Sequence, residues 1–164
     1  MLELKHLFRA VDLASQALQR GVIPVGAVLT TPGGRVLGEV SRPEGLLDHA
    51  ELLVLRGAEP WLRAHPYQAI LYSALEPCLM CFGAVLNTKV GQVVYAVRDG
   101  ERDYHAALDA TDYLRYRAGQ FRVHVEPCPQ SRTRMQALLH RYWTEVGHPE
   151  KASAFSEGGK HWSG

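Results

Sequence analysis

Two short motifs constrain this chain more than anything else in it. They are Glu76-Pro77-Cys78-Leu79-Met80-Cys81 and, upstream, His49-Ala50-Glu51. Cysteines three apart at the start of a helix point the same way and can grip one metal ion. Ala69 to Ala74, with Ile70, Leu71 and Tyr72, predicts a short buried strand just before them. Pro77 suits the first turn of a helix running through Leu86. Strand, C-x-x-C, helix also describes a thioredoxin-like redox centre, and the spacing alone leaves both readings open. His49 and Glu51 separate them, because a dithiol redox site needs neither. With His49 as third ligand, a tetrahedral zinc keeps one place open, as catalytic zinc does. Glu51 is then the candidate proton shuttle. Asp48 and Glu51 have capping-box spacing. That predicts Asp48 as the cap and sets His49 and Glu51 off the amino end of a helix over about His49 to Gly57.

The 164 residues suit one domain with a sizeable core. A formal net charge of +1 gives no overall basic field for nucleic acid. No apolar run approaches the ~20 residues that span a bilayer. Met1-Leu2-Glu3-Leu4-Lys5 lacks the pattern of a signal peptide, so the expected location is the cytoplasm. Three cysteines, two in the C-x-x-C, suit metal or redox chemistry better than disulfides.

Along the chain, Leu4, Leu7, Phe8, Val11, Ala14 and Leu18 form one apolar helical stripe, with Gly21 as the stop. Val22 to Leu29 and Arg35 to Val40 read as a hairpin around Pro32-Gly33-Gly34. Gly26 and Ala27 leave room for a ligand near the backbone, or Gly26 marks a bulge. Pro60 helps end the helical region after Gly57. Val90 to Val97 and Phe121 to Val125 are further strands. The long connection between them, helical over Ala106 to Arg117, permits parallel pairing. A helix opening at Ser131 stops at Gly147-His148-Pro149. The predicted domain is residues 1–149, followed by a flexible polar tail over 150–164. Helices alternating with short apolar strands predict a three-layer α/β fold.

H-x-E followed by P-C-x-x-C, here with 28 residues between His49 and Cys78, is the signature of zinc deaminases. On it the chain resembles the cytidine deaminase superfamily. The likeness from about Lys5 to Val146 is to the branch of tRNA adenosine deaminases and guanine deaminases. Pro24-Val25-Gly26-Ala27-Val28, Leu75-Glu76-Pro77-Cys78 and Val93-Val94-Tyr95-Ala96-Val97-Arg98-Asp99 carry that likeness. It implies a mixed five-stranded sheet flanked by helices, commonly in a homodimer. It also implies Zn2+ on His49, Cys78 and Cys81, with Glu51 catalytic. The expected reaction removes an amino group as ammonia from a nucleobase, foremost adenosine in tRNA, with a free base or nucleoside (guanine, cytosine or a related ring) as the alternative.

Substrate contacts are expected from Gly26, Ala27, Ser41, Arg42, Ala50 and Asp99, with the Cys78 N–H steadying negative charge. Relatives carry a base-gripping asparagine before the histidine. Here that region reads Gly38-Glu39-Val40-Ser41-Arg42-Pro43, and the chain's one asparagine is Asn87. The arginines Arg115, Arg117, Arg122, Arg132, Arg134 and Arg141 offer a phosphate path or a solvated face.

Overall fold

The computed structural model describes residues 2–99 and 102–156. Helix α1 spans Leu4–Gln19 and buries Leu7, Ala10, Val11, Ala14 and Leu18. It ends in a Schellman turn: Gly21 N–H reaches Leu18 O at 2.9 Å and Val22 N–H reaches Ala17 O at 3.1 Å. Gly21 has φ +74°, as that turn requires.

Strands β1 (Gly26–Thr30) and β2 (Val36–Ser41) pair antiparallel as the expected hairpin. Helix α2 covers Ala50–Gly57. Helix α3 follows over Glu59–Ala64, with Pro60 in its first turn. The proline starts a helix here rather than ending one, since its ring presets φ and the first turn needs no N–H from it. Strand β3 is Ile70–Leu75, helix α4 Leu79–Thr88 and strand β4 Gln92–Val97. A 3-10 turn at Ala106–Asp109 precedes helix α5 (Asp112–Ala118). One continuous helix was expected there. Thr111 divides it, its hydroxyl accepting the Leu114 N–H at 3.1 Å as an N-cap. Strand β5 is Arg122–Val125 and helix α6 is Pro129–Glu145.

The predicted tail boundary at residue 150 moves. Helix α7 covers Pro149–Ser153, and Ala152 and Phe155 are buried. Apolar side chains at a three-residue step hold this segment on the domain. The rest of the expected tail, 157–164, lies outside the described residues.

The sheet order is β2-β1-β3-β4-β5. β1 runs antiparallel to its neighbours, while β3, β4 and β5 are parallel. This is the expected mixed five-stranded sheet. Its layers follow from side-chain alternation along β3. Tyr72 faces α1, where its ring lies 5.4 Å from that of His6. Ser73 faces α2 and bonds Glu51. Helices α1 and α6 therefore cover one face and α2, with α4 against it, the other.

Gly26 fits this packing in a way its sequence context does not announce. A Cβ there would lie 2.2 Å from Ala10 O and 2.6 Å from Leu13 Cβ. The close approach that requires a glycine here is that of α1. The bulge also lies elsewhere, in the register shift between Leu29 and Thr30.

Candidate metal centre

The carboxyl ends of β3, β4 and β5 open at one end of the sheet, where ligands of such sheets gather. Because β1 is antiparallel, its first residues come to the same end, with Ala27 beside Ser73. Helices α2 and α4 both start there.

Helix α2 begins differently from the capping-box expectation. His49 occupies the N-cap in extended conformation (φ −72°, ψ 139°), and no side chain caps the first turn. Asp48 lies before the N-cap, outside any regular element. Leu53 N–H closes the first turn on His49 O at 3.0 Å. His49 and Glu51 still converge off the helix's amino end, but through the extended backbone at His49 rather than through an Asp48 cap.

Helix α4 is N-capped by Cys78, with Cys81 in its first turn. His49 Nδ1 lies 3.5 Å from Cys78 Sγ and 3.5 Å from Cys81 Sγ, and the two sulfurs lie 3.5 Å apart. Zn–S and Zn–N bonds of about 2.3 and 2.05 Å at tetrahedral angles would give edges of roughly 3.6–3.8 Å. The donors therefore stand at the corners a zinc ion needs, and two sulfurs with one imidazole are zinc chemistry. Among the described residues this is the cluster of His, Cys, Asp or Glu able to hold a metal.

The electrostatics suit that use. Cys78 is lowered to about 5, first by its hydrogen bond with Cys81, against the opposing cost of burial. The amides of Cys81 and Met80 and the charge of His49 favour the same thiolate. Cys81 is pushed upward by its hydrogen bond with Cys78, by burial and by Glu51.

Glu51 is 2% exposed and lies outside the donor triangle, its Oε2 3.8 Å from Cys81 Sγ. Burial raises its pKa. Ser73 Oγ lies 2.9 Å from Glu51 Oε1 and 2.6 Å from Leu75 O. The hydroxyl has one hydrogen and two acceptors within reach. With Glu51 ionised, Ser73 donates to the carboxylate. With Glu51 protonated, the acid donates to Ser73, which turns its hydrogen to Leu75. This serine fits both protonation states of Glu51. A lone polar residue in a strand buried throughout was its only sequence signal.

The other expected contacts divide. Ala27 and Ala50 are buried on the metal face, beside Ser73 and at the start of α2. Ser41 is turned toward α1, its hydroxyl donating to Leu13 O at 2.7 Å and accepting from Arg20 at 2.8 Å. Arg42 lines a cleft of about 400 Å³ with Ile23, Glu44 and Tyr142. Asp99 follows β4, its N–H donating to Glu76 Oε2 at 3.0 Å. Glu76 is a second buried carboxyl, raised to about 7 by burial.

The arginines toward the carboxyl end are largely paired. Arg115 meets Asp112 at 2.7 Å, Arg134 meets Asp12 at 2.6 Å, Arg141 meets Glu145 at 2.6 Å and Arg132 meets Glu126 at 3.5 Å. Arg117 donates to Leu86 O at 2.8 Å.

A buried carboxyl beside a three-donor zinc site defines a class: a metal centre built for hydrolysis. Residues 3–97 match the family model of the cytidine and deoxycytidylate deaminase zinc-binding region, and the chain belongs to that family. Zinc is accordingly its metal. The chain is 45% identical over 97 residues to a tRNA(Ile)-lysidine synthase of Thermus thermophilus, covering 57% of this chain and 18% of that protein. It is 37% identical over 103 residues to a tRNA-specific adenosine deaminase of Haemophilus influenzae, covering 58% of each. The chain thus spans less than two thirds of either relative. The fold matches a structure from a study of A-to-I editing by tRNA:A34 deaminases at the wobble position. There the TM-score is 0.65 and the identity 24%, with 84% of this chain and 100% of the other covered.

Proposed function

We propose that the chain is a zinc-dependent hydrolytic deaminase acting on adenosine in tRNA. The observation that carries the reading is Glu51, buried against the donor triangle yet bonded to Ser73. His49, Cys78 and Cys81 would hold the metal. Zinc supplies Lewis acidity that activates a water near neutral pH. Glu51 takes that water's proton and hands it to a ring nitrogen as the new C–O bond forms at the amino-bearing carbon. It then takes the proton that remains on the newly attached oxygen and passes it to the leaving nitrogen, so that the C=O forms, the C–N bond breaks and ammonia departs. Burial keeps the carboxyl ready to hold a proton between these steps. Cys78, as the N-cap, presents an N–H free of α4's own ladder toward developing negative charge.

The relatives named for tRNA support the substrate, as does their occurrence in two differently named proteins. The pairing of the arginines supports a second reading, a free base or nucleoside, since paired arginines follow a phosphate backbone poorly. A cytoplasmic site of action follows from the tRNA reading.

The test is ammonia release from zinc-loaded protein, offered anticodon stem-loops, nucleosides and free bases. Glu51→Gln is expected to keep one zinc per chain and lose turnover. Silence of the zinc-loaded wild type on every substrate, or near-normal turnover of the variant, overturns the proposal.

A further inference from the structure

Glu76 precedes the cysteine turn and is 3% exposed. Its Oε2 accepts the Asp99 N–H at 3.0 Å and its Oε1 accepts the His105 N–H at 2.9 Å. Its own N–H donates to Val97 O at 2.9 Å. One side chain thus ties two points, six residues apart, of the segment after β4 to the turn that carries Cys78. The segment borders the metal centre. The His105 ring stacks on Phe82, the residue after Cys81, with centroids 6.2 Å apart. Flanking bonds set the segment's own shape: Arg98 N–H to Glu126 Oε1 and Ala106 N–H to Asp103 Oδ1, each at 3.0 Å.

A buried carboxyl is costly unless its oxygens are satisfied. An apolar side chain of similar volume would fill the space but leave two amides without acceptors. The choice of a glutamate makes sense if the position of the segment matters.

We propose that Glu76 is a positioning residue that fixes Asp99 and the stretch 102–105 as one wall of the substrate cleft, on the Cys78 side of the metal centre. This rests on the deaminase reading for what the cleft holds, but the latch itself is a matter of geometry. The wall keeps its place only while both amides are held.

The test compares full-length, zinc-loaded wild type with Glu76→Gln and Glu76→Asp. A carboxamide accepts one N–H and turns an N–H of its own toward the other. The aspartate keeps the charge but is too short to reach both amides. Zinc content, amide hydrogen exchange at Asp99 and His105, and the split between kcat and KM are measured. In Glu76→Gln, zinc is expected to stay at one per chain. Exchange at those two amides should quicken by on the order of a hundredfold while the interior of β4 stays protected. KM should rise about tenfold with kcat within about threefold. Glu76→Asp should free one amide and raise KM less.

Unchanged exchange at both amides, loss of zinc, or a fall in kcat with KM unaltered would overturn the proposal. If the wild type releases no ammonia from any substrate, the proposed function falls and the exchange result alone judges the latch. If Glu76→Gln does not fold, Glu76→Asp carries the same readouts, with one amide released as the supporting result.

Discussion

Replacing Ser73 by alanine removes the side-chain hydroxyl that lies against the Glu51 carboxyl, a bond within a buried site. Ser73 is fully buried on the metal face of β3 and sits 2.9 Å from Glu51 Oε1. A hydrogen bond to a charged group contributes about 1.5–3 kcal/mol, and losing it inside the protein strands the remaining partner. Glu51 is only 2% exposed, so little water is there to replace the hydroxyl. If that energy is needed to hold the ionised carboxylate in place during proton transfer, kcat should fall roughly tenfold to a hundredfold. Zinc should stay at one per chain, because Ser73 is outside the donor set. The assay is steady-state ammonia release with zinc measured on the same samples. A variant with kcat within about twofold of wild type would refute the reasoning. So would loss of zinc, which would show that Ser73 supports the metal rather than the carboxyl.

Cys81→Ala should leave less than about one tenth of the zinc bound after dialysis, since a structural or catalytic zinc needs three protein donors at least; metal retained in full would dissolve the assigned triangle. Gly26→Ala puts a methyl group 2.2 Å from a helix carbonyl, so it should destabilise by about 3 kcal/mol and lower Tm by about 6–12 °C; an unchanged melting curve would mean that α1 does not press on β1. His6 is buried beside Tyr72 with its pKa lowered by burial. Its neutral form stabilises the fold above the ordinary histidine pKa near 6.5, and that contribution is lost as pH falls through the lower folded value. His6→Phe should therefore flatten the loss of Tm between about pH 7 and 5, and an equally steep loss would clear His6 of the effect.

The four chemical residues were legible because their spacing encodes geometry directly. Cys78 and Cys81 share a helical turn, and a histidine two before a glutamate needs a helix end to serve one site. The sheet was legible from connection lengths, short for the β1–β2 hairpin and long before β5. What escaped depends on partners far away in the chain. Gly26 reads as a gap for a ligand until α1 is seen crossing it. Ser41 sits where a substrate contact was expected, yet Leu13 and Arg20 claim its hydroxyl. Ser73 has its partner 22 residues upstream, and Glu76 has backbone amides 23 and 29 residues downstream. Backbone amides carry no residue signature, so no sequence pattern announces such a latch.

The site pushes Cys78 and Glu51 in opposite directions, and that separation supports their proposed roles. Cys78 stands at a helix start, where free amides and neighbouring donors stabilise an anion, and its thiol is lowered to about 5. Glu51 lies in the first turn of a neighbouring helix, covered by protein, and burial raises it. A thiolate is what binds a metal, while a carboxyl reluctant to ionise is what carries a proton. Both environments come from one arrangement, the amino ends of α2 and α4 meeting over β3. Cys78 occupies the N-cap and is half-exposed, whereas Glu51 reaches inward to Ser73. Exchanging a cysteine for a carboxylate at position 78 would therefore change more than the ligand type. It would put a second carboxyl beside Glu51, and mutual repulsion would move the proton carrier's pKa along with the metal's affinity.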